Sequence, residues 1–161
     1  MLIKPELAQK MIEQVRNEFA ASLQYLAIAI YFEQEAMDNT AAFFYAQAAE
    51  ENEHGMKLLR YVVETGGDAK LLLVPAPEAK IDSAEAAFQT SLNWEMEVTG
   101  QINALMTMAK QQNDYLAENF LQWFVDEQLE EVTTMEKYLS MVRKMGENNI
   151  FLLEHLIKRE D

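Results

Sequence analysis

Four long stretches of this chain place apolar residues three and four apart, and each carries a glutamate near mid-length on the stripe that should be dry. The stripes read Met11, Val15, Glu18, Ser22, Tyr25, Ala29; then Phe44, Ala48, Glu51, Gly55, Leu58, Val62. The third reads Phe88, Leu92, Glu95, Thr99, Ile102, Met106, and the fourth Leu121, Phe124, Gln128, Glu131, Met135, Val142. An isolated buried carboxylate is strongly disfavoured, and no Lys or Arg occupies these stripes to neutralise four of them. The pattern calls for helices that converge at mid-length on a multivalent cation.

Breakers are scarce enough to allow such helices. Five Gly and three Pro in 161 residues, with Ala, Leu, Glu, Gln and Met abundant, favour an all-α fold, and the length suits a single domain over residues 1–161. Helix one is expected from Pro5, well placed in a first turn, to about Met37, with Asp38-Asn39-Thr40 supplying the turn and N-cap of helix two. Helix two runs to about Thr65 and stops at Gly66-Gly67. Residues 68–81, with Pro75-Ala76-Pro77, read as one long crossover that lets helix three run parallel to helix two. Helix three opens at Asp82-Ser83-Ala84-Glu85, which has the form of a capping box, and reaches about Gln112. Asn113-Asp114 turns the chain into helix four, about Tyr115 to Met145, so the four-helix bundle covers about 5–145. Gly146 ends it, and a short fifth C-terminal helix is expected over about 148–158.

The donor chemistry is equally bounded. There are no cysteines, so disulfides, thiolate zinc sites and iron–sulfur clusters are excluded, and any metal sits on oxygen and nitrogen. Glu51 and His54 form Glu-x-x-His, whose side chains leave one helix face within reach of a shared ion. Oxygen donors with one imidazole suit iron or manganese, while zinc or cobalt would bind without redox turnover. A formal charge of −14 disfavours a nucleic-acid partner and favours cations. No window approaches the ~20 apolar residues of a membrane span and the N-terminus lacks a signal-peptide pattern, so no membrane partner and a cytoplasmic location are expected.

Glu50-Glu51-x-x-His54, Asn119-Phe120-Leu121-Gln122-Trp123 and Glu127-Gln128-x-x-Glu131 are the most specific pieces of a resemblance that spans nearly the whole chain. The chain resembles the non-haem bacterial and archaeal ferritins. That resemblance implies a ferritin-like four-helix bundle in a homo-oligomer, a 24-subunit shell that stores iron. It implies a ferroxidase, an oxidoreductase that takes Fe(II) and O2 or H2O2 to a ferric mineral. Glu18, Glu51 and His54 would hold one iron, with Glu51 bridging to a second held by Glu95 and Glu131. Gln128 would stand beside that di-iron centre as a hydrogen-bonding group. Tyr25 would be an electron donor, or equally a core tyrosine with a satisfied hydroxyl. Glu50, Glu127 and Glu130 match a third, more exposed iron site of some bacterial ferritins; Glu50, Glu53, Lys57 and Arg60 also read as a solvated face with Glu53 and Lys57 paired at i, i+4. Glu118 is the candidate for an iron-guiding carboxylate in a threefold channel, or an ordinary exposed glutamate.

Helix four has Gln128-x-x-Glu131 rather than a second Glu-x-x-His, and Asn52 stands where the resemblance to bacterioferritins would require a haem-binding methionine, so no haem is expected. His155, in the last helix, has no distinguishable role. The alternative function is a non-storage di-iron or di-manganese oxidase or peroxidase of the same superfamily. A helical interaction protein without metal would leave the core carboxylates unexplained.

Overall fold

The computed structural model describes residues 2–77 and 80–157. Four long helices, α1 (Pro5–Gln34), α2 (Asp38–Glu64), α3 (Ala84–Gln111) and α4 (Tyr115–Met145), are followed by a 3-10 segment, Glu147–Leu152, and one α-helical turn, α5 (Leu153–Leu156). Helices α1 and α2 form one hairpin, α3 and α4 the other, and α1 packs on α3 across the middle. Lys4 at the start of α1 donates to the Gln112 carbonyl at the end of α3, and Asn17 to Gln101, so α1 and α3 are antiparallel. Because α1 is also antiparallel to α2 through its short turn, α2 and α3 run parallel, so the chain returns along the bundle between Glu64 and Ala84. The expected crossover is therefore present.

Local chemistry explains most boundaries. Pro5 occupies the first turn of α1, where its missing N–H costs nothing. Gly67 N–H donates to Val62 O and Gly66 N–H to Val63 O, with Gly66 at φ 78°, the paired bonds of a Schellman cap on α2. Asn113, at φ 54°, closes α3 with the same bond pair, to Lys110 O and, through Asp114, Ala109 O.

Four expectations need correction. Helix α1 ends at Gln34, not Met37, because Ala36 adopts φ 58° and the chain turns there. Asp38 is already helical and Met37 caps α2 without a side-chain bond. The free N–H groups of Asn39 and Thr40 donate instead to the Glu154 carboxylate, brought from the far end of the chain. The N-cap of α3 is Ser83, whose hydroxyl accepts from Ala86 N–H at 3.0 Å, while the Glu85 carboxylate turns to Arg143 at 2.8 Å. The last segment begins at Glu147 and is mostly 3-10; its expected end at Lys158 lies outside the described residues.

The apolar core is divided. One buried cluster gathers Phe32, Phe44, Phe88, Met135, Tyr138 and Leu153 at one end of the bundle. A second gathers Leu7, Met11, Leu58, Val62, Ile102, Leu121 and Phe124 at the other. Between them lies a buried polar belt of Glu18, Glu51, His54, Glu95, Gln128 and Glu131. No helix among the described residues is long and apolar enough to cross a membrane.

Candidate metal centre

Each helix delivers one turn of its inward stripe to the belt: Glu18 from α1, Glu51 and His54 from α2, Glu95 from α3, Gln128 and Glu131 from α4. Close approach of α1 and α2 at this level requires Gly55, since a Cβ there would lie 2.7 Å from the Phe19 ring. Ser22 ties the same two helices by donating to the Ala48 carbonyl at 2.6 Å. The five expected ligands are nearly sealed from solvent, with Glu18, Glu51, His54, Glu95 and Glu131 exposed by 1, 2, 4, 0 and 4%.

Such burial drives the carboxyls to hold protons. Desolvation, then the Glu51 charge, raises Glu18 well above the ordinary carboxyl range; desolvation, then Glu95, does the same to Glu51. Glu95 is raised by burial, a shift moderated by hydrogen bonds from Tyr25 and Gln128. Glu131 is pushed up to about 10, first by burial and then by Glu95 and Glu51. The Tyr25 hydroxyl, which donates to Glu95 Oε1, is itself raised by burial and by the Glu95 charge.

Hydrogen bonding is incomplete in a telling way. Glu18 Oε2, Glu51 Oε2 and Glu95 Oε2 receive nothing from any protein donor, although each is buried. Glu18 and Glu51 lie close enough for the Glu51 charge to raise Glu18, a proximity that a shared proton or a shared cation relieves. Glu51 Oε2 also stands 3.6 Å from His54 Nδ1. A set of hard oxygens with one imidazole, short of donors and holding protons that a cation can displace, fits iron or manganese.

Other contacts fix the orientation of this set. Gln14 Nε2 donates to Glu18 Oε1 at 3.1 Å. The Thr99 hydroxyl donates to Gln128 Oε1 at 2.8 Å, which turns the amide N–H of Gln128 toward Glu95. Gln47 Nε2 donates to Glu50 Oε2 at 2.9 Å. Sequence reading gave Gln14, Thr99 and Gln47 no role; the available signal was position, four before Glu18, four after Glu95 and three before Glu50.

The residues expected at a third site are brought together only in part. Glu50 turns inward, so that one ligand atom from each of Glu50, His54 and Glu131 lies within 4.8 Å of the others. Glu127 is half-buried and near enough to raise Glu131, whereas Glu130 is exposed. Lys57 does not pair with Glu53; its Nζ sits 3.2 Å from the centroid of the Trp123 ring. Glu118 lies in the first turn of α4, well before Gln128, and His155 is exposed.

Comparison with known proteins identifies the family. The model of the ferritin-like domain matches residues 8–145. Ferritin BfrB of Mycobacterium tuberculosis is 37% identical over 150 residues, covering 93% of this chain and 82% of that protein. The bacterial non-heme ferritin of Staphylococcus aureus is 34% identical over 155 residues, covering 95% and 93%. Among solved structures, the open pore ferritin of the archaeon Archaeoglobus fulgidus superimposes with a TM-score of 0.94 at 31% identity, covering 99% of both chains. With the bundle, its crossover and these relatives in agreement, the chain belongs to the non-haem ferritins, a family of iron-storage proteins.

Proposed function

We propose that this protein is a cytoplasmic iron-storage ferroxidase. Each subunit folds as a single domain over residues 1–161 and oxidises Fe(II) with O2 or H2O2 at its own di-iron centre, and a 24-subunit homo-oligomeric shell holds the ferric mineral. The observation that carries the reading is the meeting of four buried glutamates and one histidine from four helices, with three carboxylate oxygens that no protein donor satisfies.

Iron is the substrate here. Glu18, Glu51 and His54 hold one Fe(II), Glu95 and Glu131 the other, and Glu51 serves both. Two Fe(II) side by side supply two electrons, which suits O2 or peroxide where one ion alone would not. Entry of the cations displaces the protons that burial keeps on Glu18, Glu51 and Glu131, so loading releases acid and weakens as pH falls. Gln128 and the Tyr25 hydroxyl hold Glu95 in place, and Tyr25 is the candidate one-electron donor. Glu50, facing His54 and Glu131, supports a third ion beside the pair, with Glu127 closer to hand than Glu130.

Exposed apolar side chains support assembly. Leu71, Leu72 and Leu73 on the crossover, Tyr115 and Leu116 at the start of α4, and Phe151, Leu152 and Leu156 near the C-terminus all lie at the surface of one subunit. The reading requires a particle of several hundred kilodaltons that oxidises Fe(II) rapidly in air. Glu18→Ala and His54→Ala should lose the fast initial phase while remaining assembled. Full initial rates in both assembled variants would overturn the ligand assignment, and a monomer or dimer would overturn storage.

A further inference from the structure

A groove of about 780 Å3 opens between α2 and α4, with Glu50 and His54 of the centre in its wall. Its other charged residues are Glu53, Glu64, Lys57 and Arg60. Although Glu53 lies four before Lys57 and Glu64 four after Arg60, Lys57 forms no ion pair among the described residues. Lys57 is instead held by an aromatic face, its ammonium 3.2 Å from the Trp123 centroid. Trp123 in turn meets the His54 ring edge-on, with centroids 5.4 Å apart and planes at 79°. One positive charge is thus fixed a single side chain away from the histidine, in the groove that has His54 in its wall.

We infer that Lys57, held on Trp123, is an electrostatic gate that sets how fast divalent cations enter the centre through this groove. The inference rests on the proposed metal centre and adds a rate-controlling residue to it. Lys57 is not one of the proposed ligands; it acts on the approach. A +2 ion passing within roughly 8 Å of a fixed +1 charge, in partly screened surroundings, meets a barrier worth on the order of a three- to tenfold change in entry rate at low ionic strength. Carboxylates of Glu50, Glu53 and Glu64 draw the ion in, and Lys57 subtracts from that pull. Arg60 is exposed and free of Trp123, so its share is smaller.

The test uses the assembled, metal-free protein and Co(II), whose binding to the centre is followed by its visible absorbance in stopped flow, with no turnover needed. Lys57→Met keeps the length and the contact with Trp123 but removes the charge. It should raise the association rate about three- to tenfold at low salt, and the gain should vanish near ~0.5 M salt. Lys57→Arg should restore the wild-type rate, and Arg60→Gln should change it less than Lys57→Met. An unchanged or slower rate in Lys57→Met, or a gain that high salt leaves intact, overturns the gate. Failure of the wild-type protein to take up Co(II), with the same absence in Glu18→Ala, would instead overturn the metal centre on which the gate depends.

Discussion

The proton held by Glu131 makes metal-free stability fall as pH rises, opposite to the trend that paired surface carboxylates give. In the folded chain this carboxyl is pushed from 4.5 to about 10, chiefly by burial, with Glu95, Glu51, Glu50 and Glu127 adding to the shift. Between those two values the folded state keeps a proton that the unfolded state has released. The folded state therefore binds more protons, and stability must decline with pH across that window. Its contribution is complete below 4.5 and is lost on the way to about 10. The slope is about 1.4 kcal/mol per pH unit for one proton, so about 3 kcal/mol is lost between roughly pH 6 and pH 8 from Glu131 alone. Glu18, Glu51 and Glu95 are raised as well and act in the same direction. Glu131→Gln keeps shape and polarity but cannot titrate, so its slope should be shallower by about one proton, and it should be the more stable protein at about pH 8. The assay is urea denaturation of chelator-treated protein at fixed subunit concentration over that range, because assembly links stability to concentration. A wild-type curve that is flat or rises with pH, or equal slopes for wild type and Glu131→Gln, refutes the reasoning.

Two further outcomes follow from the helix ends. Ala36 sits at φ 58°, where a Cβ is strained, so Ala36→Gly should stabilise the subunit by about 1 kcal/mol in thermal or urea denaturation. Glu154→Ala leaves the N–H groups of Asn39 and Thr40 and the Thr40 hydroxyl without an acceptor. It should cost about 1–2 kcal/mol and speed hydrogen exchange at Asn39 and Thr40 above that of neighbouring α2 amides.

The helices and the buried polar belt were legible because both are periodic. A glutamate at position 18, 51, 95 or 131 stands out only against apolar neighbours three and four residues away, and that contrast survives in a bare sequence. Gly66-Gly67 and Asn113 were legible for a similar reason, since few residues tolerate positive φ. Ala36 broke that rule and moved the end of α1, because the three-residue turn to α2 leaves no room for another helical turn. The cap on α2 was hidden by distance: Glu154 is 115 residues from Asn39, and no local pattern links them. Thr99, Gln14 and Gln47 escaped notice because Thr and Gln are ordinary in helices, and their value arises only once Gln128, Glu18 and Glu50 are fixed in space. The inward turn of Glu50 and the seat of Lys57 on Trp123 depend on rotamers, which sequence does not reveal.

The polar belt between the two apolar clusters has a consequence for how the chain finds its alignment. Stripes of Leu, Phe, Ala and Met can slide along one another by a helical turn and still bury similar area, so apolar packing alone leaves several alignments close in energy. A slip of one turn here, about 5 Å, would carry a glutamate out of the belt and into the cluster around Phe44 and Phe88 or the one around Leu58 and Leu121. That would strand a carboxyl among hydrocarbon with no partner. The same four glutamates that weaken the metal-free protein thus act as a vernier, giving each helix one acceptable height against the other three.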